Sequence, residues 1–230
     1  MIGSWITLND PAVSEILCQC GFSWLAVDMQ HSSLTDGEMQ SHIRVIDMYG
    51  VQPWVRVAEN SPIAIGKALD AGAAGVIVPQ IILPAGAQRA VDSTRDPVRS
   101  TGLWRSRGYG QTSVVEEPKV VVQIEHIQAV AHIERIVGTE GVSGFLVGIY
   151  DLSASLGATG EFENPKFLQA MEIIDRFAAT SDKLSGVHIP LPRNLDSLLQ
   201  AKEKGYDFLA LGMDTSFMWD SAINSLKEMK

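Results

Sequence analysis

Several apolar runs of the chain end abruptly on side chains capable of acid–base or anion chemistry. In "WLAVDMQH" the run stops at Asp28, and His31 follows three residues later; in "PWVRVAEN" Arg56 sits among valines and a tryptophan. "VVVQIEH" carries Gln123 and Glu125, and "FLVGIYDLS" runs into Asp151. Packing alone does not explain polar groups in these places, because a buried polar side chain is costly unless it is hydrogen-bonded or paired.

Gln123 and Glu125 are two apart and so share one face of a strand. If Glu125 and Asp151 end adjacent strands, spaced about 4.8 Å apart, their like charges raise one carboxyl pKa unless a cation lies between them. A hard divalent ion held by one or two carboxylates, with water and substrate completing its shell, is the usual arrangement for Mg²⁺. The only cysteines, Cys18 and Cys20, lie one residue apart, and no histidine pair has ligand spacing, which disfavours zinc. The alternative is that Glu125 and Asp151 each cap a helix or pair with a base. Arg56 would bind a carboxylate or a developing oxyanion, or would form an internal ion pair with Asp28 or Asp70.

His31 is the natural general base, since imidazole alone has an unperturbed pKa near neutrality. The other histidines are weaker candidates. His42 and His132 fall in helical, surface-type patterns, and His126 follows Glu125 and should point away from it. His188, ending "SGVHI", is expected to form a pocket wall at most.

These groups need a scaffold that brings many strand ends together. Candidate strands are 2–8, 24–28, 52–57, 74–79, 119–125, 144–150, 185–189 and 208–213. Each is a continuous apolar run, as in a parallel sheet covered on both faces. Helical segments such as 10–21, 61–72 and 127–138 lie between them and end at Gly, with Asp10-Pro11 and Ser61-Pro62 as helix starts. Eight such units in 230 residues fit a single-domain (β/α)₈ TIM barrel, whose active sites lie at the C-terminal strand ends. No Gly-x-Gly-x-x-Gly follows a strand, which argues against a dinucleotide fold.

A composition of 46% hydrophobic and 20% charged residues suits a soluble globular domain, and the formal charge of −9 disfavours nucleic acid and anionic membranes as partners. The N-terminus lacks a signal-peptide pattern, and no apolar run approaches the roughly 20 residues of a membrane span. A cytoplasmic location is the expectation.

Taken together and in order, "GFSWLAVDMQHSSL", "QPWVRVAENSPIAIGKALDAGAAGVIVPQI", "VVVQIEH", "GVSGFLVGIYDLSASLG" and "GYDFLALGMDTSF" resemble the HpcH/HpaI family of metal-dependent 2-oxo acid aldolases, in the phosphoenolpyruvate/pyruvate barrel superfamily. The resemblance implies that Glu125 and Asp151 are metal ligands and that His31 is the proton acceptor. It implies that Arg56 stabilises the enolate and that Asp70 raises the basicity of the histidine. It also implies that Gln123 and the backbone at Tyr150 contact the 2-oxo acid. The implied chemistry is a class II aldol reaction between pyruvate and an aldehyde with Mg²⁺, Mn²⁺ or Co²⁺; the absence of a strand-end lysine agrees with a metal rather than an imine route. Oxaloacetate decarboxylation on the same site, or a barrel that has drifted into a binding or assembly role, are the alternatives.

Three features depart from the family pattern. Gln30 stands where a glutamate is usual, Tyr150 where a small residue is common, and the segment 95–111, with Arg95, Arg99, Arg105 and Arg107, is altered. Near the end, Phe217, Met218, Trp219, Ile223 and Leu226 give one helix more apolar surface than an exposed terminus needs. That helix is expected either to dock on its own barrel or, as the resemblance implies, to be exchanged with a neighbouring subunit in a homo-oligomeric trimer or hexamer.

Overall fold

A computed structural model of the chain describes residues 1–95, 102–111, 117–190 and 195–229. Eight parallel strands pair in sequence order and close into a barrel: β1 (Ile2–Ile6), β2 (Trp24–Asp28), β3 (Gln52–Arg56), β4 (Gly75–Val78), β5 (Lys119–Ile124), β6 (Gly144–Val147), β7 (Leu184–Ile189) and β8 (Phe208–Met213). Between and after them run α1 (Pro11–Gln19), α2 (Asp36–Met48), α3 (Pro62–Asp70), α4 (Pro84–Thr94), α5 (Ile127–Val130), α6 (Ile133–Val137), α7 (Ile149–Ser155), α8 (Pro165–Thr180), α9 (Leu195–Glu203) and α10 (Asp214–Glu228). The expected (β/α)₈ barrel is therefore present.

Local chemistry sets the helix starts. Asp10, Ser61 and Asn164 each accept a hydrogen bond from a first-turn amide, with Pro following as the first helical residue. Thr35 and Glu38 form a reciprocal capping box at the start of α2.

The barrel interior divides into an aromatic floor and a polar mouth. Trp5, Trp24, Trp54 and Phe208 are fully buried inside, with the Trp24 and Phe208 rings stacked 4.2 Å apart. Two glycines make room for them. A Cβ on Gly3 would fall 2.0 Å from the Trp24 ring, and one on Gly75 would fall 2.5 Å from Trp54. Continuing by twos from the same inward-facing positions, β2, β3 and β5 bring Asp28, Arg56, Gln123 and then Glu125 to the mouth.

The start of α10 is latched to the end of β1. Buried Asp214 accepts from the backbone amides of Thr7 (2.6 Å) and Leu8 (2.8 Å), and from the Thr7 hydroxyl (2.5 Å). Beyond this latch Phe217 packs inward, with its ring 6.0 Å from Phe22. Met218, Trp219 and Leu226 are exposed, Trp219 by 73%, so α10 does not dock its apolar face on its own barrel.

The structure corrects several boundaries and one burial. Residues 144–150 do not form one strand: β6 stops at Val147, and α7 begins after Gly148, turning Asp151 into the first helical turn. Segment 127–138 is split into α5 and α6 around Ala131 and His132. His42 is buried rather than on the surface, because α1 supplies Ser14 Oγ as a partner 2.8 Å from its Nδ1. Burial holds its imidazole below the usual histidine range.

Candidate active site at the barrel mouth

The β2–β3 register places Asp28 directly opposite Arg56. Arg56 donates to Asp28 through Nε (2.8 Å) and Nη2 (2.5 Å), a planar two-point pair with both residues buried, 1% and 9% exposed. Of the alternatives for Arg56, an ion pair with Asp28 is therefore realised. It does not consume the guanidinium, since Nη1 takes no part in the pair. The guanidinium carbon also stands 4.5 Å above the centre of the Trp5 ring, which supports the cation from below.

Asp28 Oδ1 also accepts from the amides of Gln30 (3.0 Å) and His31 (3.2 Å), and the Ser32 hydroxyl donates to its carbonyl. Asp28 thus organises the turn after β2 and the guanidinium beside it. It meets His31 through the backbone rather than through the imidazole. His31 itself is exposed at the mouth.

Glu125, just beyond β5, is 7% exposed. Its Oε1 accepts from the Gln80 amide (2.6 Å) and its Oε2 from Gln123 Nε2 (2.5 Å). Burial pushes its carboxyl up to about 7; the Gln80 amide opposes the shift, the charge of Asp151 adds to it, and Arg56 opposes it. Asp151 is thus close enough to be felt electrostatically, from the first turn of α7 after the neighbouring strand. Gln80 holds a left-handed backbone (φ +58°) rare for a residue with a side chain. That conformation costs free energy and is maintained where its amide meets the carboxylate.

A divalent cation fits this donor set. Asp151 is near enough to raise the Glu125 carboxyl, no basic group among the described residues is paired to Glu125, and the Gln123 Oε1 is buried without a hydrogen-bond partner among them. The space beside Glu125 depends on Gly148: a Cβ there would fall 3.1 Å from Glu125 Oε2 and 2.8 Å from Gln123 Nε2. Among the described residues no three His, Cys, Asp or Glu side chains converge on one point. The protein would thus give two carboxylate ligands and leave the rest of the shell to water and substrate, as Mg²⁺-type sites do.

Asp70 ends α3 and lines a groove with Asp36, Lys67, Trp104 and Arg105. Helices in this fold run back down the outside of the barrel, which carries the end of α3 away from the strand ends. Tyr150 is exposed, and its ring meets Phe162 edge-on at 5.1 Å. In the arginine-rich segment, Arg105 donates to Asp47 (2.6 Å) and to the Ala71 carbonyl (3.1 Å), fastening the segment to the barrel wall, and Arg95 lies 3.9 Å from Glu117. Arg99 lies outside the described residues.

Sequence reasoning missed Gln80 and Trp5. Gln80 carries no residue-type signal for a positive φ. Trp5 was readable only once the inward face of β1 was known. His126, by contrast, faces away as expected and caps α5 through Nδ1, which accepts from the Gln128 amide.

Comparison with known proteins agrees with this geometry. The family model for HpcH/HpaI aldolase/citrate lyase matches residues 1–221. A hydroxypyruvate/pyruvate aldolase of Sagittula stellata is 33% identical over 235 residues, covering 96% of this chain and 90% of that protein. A 5-keto-4-deoxy-D-glucarate aldolase of Escherichia coli is 32% identical over 222 residues, covering 93% and 86%. Among solved structures, an HpcH/HpaI aldolase/citrate lyase family protein from Burkholderia cenocepacia superposes with a TM-score of 0.91 at 28% identity, covering 100% of this chain and 94% of that one.

Proposed function

The chain belongs to the HpcH/HpaI aldolase/citrate lyase family, and from that premise we propose that it is a divalent-metal-dependent aldolase joining or cleaving pyruvate and an aldehyde. One observation carries the reading: buried Glu125, with Asp151 beside it, shares the barrel mouth with a two-point Arg56–Asp28 pair.

Glu125 and Asp151 would hold the cation, and when bound it supplies Lewis-acid polarisation of the 2-oxo acid. The chain's own residues account for the rest. Asp28 and the Trp5 ring fix the plane of the Arg56 guanidinium and leave Nη1 outside the pair, so charge developing on the enolate oxygen would meet a pre-set cation. Gln123 brings a buried amide to the same place. His31, exposed at the rim, takes the proton from the pyruvate methyl group or from the alcohol being cleaved, directly or through water.

The reading includes a homo-oligomer, supported by the exposed apolar side of α10. No helix among the described residues is long and apolar enough to cross a membrane.

Exchange of pyruvate methyl protons with deuterated solvent tests the proposal, because it reports enolate formation whatever the aldehyde. Exchange that requires Mg²⁺, Mn²⁺ or Co²⁺ and disappears in Glu125→Ala is expected. No exchange with any of the three overturns the reading. Rapid CO₂ release from oxaloacetate with no aldehyde accepted would assign the site to decarboxylation instead.

A further inference from the structure

Glu125 and Asp151 reach the mouth from two separate turns. Glu125 stands between β5 and α5, and Asp151 stands in the first turn of α7, after β6. The Asp151 side chain is exposed, so its place is set by the backbone that carries it. That backbone belongs to a helix of only seven residues. A helix so short does not hold itself in water, since isolated helices below about 12–15 residues are marginal. Its direction depends on what it is tied to.

One tie comes from the turn of the other carboxylate. The Ser155 hydroxyl accepts from the Ile127 amide (3.0 Å) and donates to the Leu152 carbonyl (2.7 Å). Ile127 lies two residues after Glu125 and opens α5, where its amide has no partner within the helix. The next two amides, of Gln128 and Ala129, are served locally by His126, at Nδ1 and at its carbonyl, whereas that of Ile127 is served from α7. Leu152 directly follows Asp151 and is fully buried. On the other flank the Gly148 amide donates to the Ile124 carbonyl (3.1 Å), continuing the β5–β6 ladder.

The two ties close a ring. It runs from Ile124 through Glu125 to Ile127 and crosses at Ser155 to Leu152. It then returns through Asp151 to Gly148 and crosses back to Ile124. Each carboxylate is bracketed on both sides by a bond to the turn that bears the other. The crossing at Gly148 is made by backbone alone, and the crossing at Ser155 depends on one hydroxyl group. Small hard cations read the resulting separation: Mg²⁺ takes its oxygen ligands at about 2.0–2.1 Å in near-ideal octahedral geometry.

We propose that Ser155 is a positioning residue for the metal site. Its hydroxyl fixes the spacing of the Glu125 and Asp151 turns and thereby sets the affinity for a small divalent cation. The assignment rests on the reading of those two carboxylates as the metal's ligands; Ser155 acts through them and is not itself a ligand.

The test is Mn²⁺ binding by the full-length, chelator-treated protein without substrate, followed by the electron paramagnetic resonance of the free ion. Wild type should bind and Glu125→Ala should not, which places the measured ion at this site. Ser155→Ala should raise the Mn²⁺ Kd about tenfold, the lower end of what loss of an outer support costs a metal site. Ser155→Thr and Ser155→Val share one shape and differ by a hydroxyl against a methyl group. The threonine variant should stay near the wild type, and the valine variant near the alanine. A purely structural hydroxyl would instead lower the Tm of the metal-free protein and leave the Kd of the folded protein unchanged.

A Ser155→Ala Kd within about twofold of wild type overturns the proposal, being far below the usual cost of losing such a support. Equal losses in the threonine and valine variants also overturn it, since bulk and not the hydroxyl would then be responsible. If Ser155→Ala or Ser155→Val does not fold, Ser155→Cys decides by the same measure, because a thiol is close in size but a weak hydrogen-bonding group. A wild type that binds no Mn²⁺, or a Glu125→Ala variant that binds it equally well, overturns the ligand reading itself and the assignment with it.

Discussion

Asp28 and Arg56 are opposite each other in the β2–β3 register, and two hydrogen bonds of 2.8 and 2.5 Å lock the guanidinium into the plane of the carboxylate. The pair leaves one guanidinium nitrogen for a ligand and sets its direction. A lysine in the same place would keep the charge but lose both the plane and the two-point grip. Arg56→Lys should therefore fold but lower metal-dependent pyruvate proton exchange by about 10²-fold, in the range for loss of one preorganised oxyanion donor. Exchange kinetics alongside circular dichroism check this; a loss under fivefold would mean that the direction of Arg56 does not matter.

Much of this site was legible in the sequence because a polar residue ending a Val/Leu/Ile run has few structural excuses. Asp28, Arg56, Gln123 and Glu125 were all found that way, and β2 and β8 occupy the expected residues. What escaped depended on three-dimensional facts with no local signature. Gln80 matters through a backbone amide and a positive φ, which no side-chain type announces. His42 reads as a surface residue until Ser14 on α1 is known to face it. Asp70, in "KALDAG", ends α3 and lines a groove with Asp36 and Lys67, a placement that no local pattern announces. The end of β6 was overrun because "FLVGIYDL" stays apolar through a turn made at Gly148.

Glu125 gives the metal-free protein a predictable pH dependence. Its carboxyl is raised from 4.5 to about 7, chiefly by burial, so folding favours the neutral acid. The associated stability is fully present below pH 4.5 and is lost as pH rises through about 7. The shift corresponds to about 3 kcal/mol. Thermal melts of metal-free protein between pH 4.5 and 8 should show this decline, and Glu125→Gln should flatten it. Mg²⁺, which needs the carboxylate, should restore Tm most at the alkaline end.

Gln80 stores strain that glycine would release. Its φ of +58° costs a residue with a Cβ about 1 kcal/mol. Gln80→Gly keeps the amide that Glu125 accepts from and should raise Tm by about 2–4 °C, less whatever the looser unfolded chain takes back. A fall in Tm would show that the Gln80 side chain contributes more than its backbone costs.

Asp214 closes the barrel between its first strand and its last helix. It accepts two backbone amides and the Thr7 hydroxyl, all from the end of β1, from a fully buried position. Asp214→Ala strands these donors and should cost about 2–4 kcal/mol in urea unfolding. Asp214→Asn keeps the shape and one acceptor oxygen and should recover part of the loss. Equal unfolding midpoints for alanine and wild type would remove the latch from the account.

The outer side of α10 should reveal itself in solution. Met218, Trp219 and Leu226 lie on one short helix and are 63, 73 and 60% exposed, whereas soluble monomers seldom keep large apolar side chains together in water. If copies of the chain bury this face against one another, sedimentation should show an assembly larger than the 25.0 kDa chain. The double variant Trp219→Glu/Leu226→Glu should then sediment as the monomer, because burying two unpaired carboxylates costs more than the contact returns. Neither substituted side chain belongs to the Asp214 latch, so a monomer with an unchanged melting profile would localise assembly to this face. A wild type that already sediments as 25.0 kDa would refute the assembly outright.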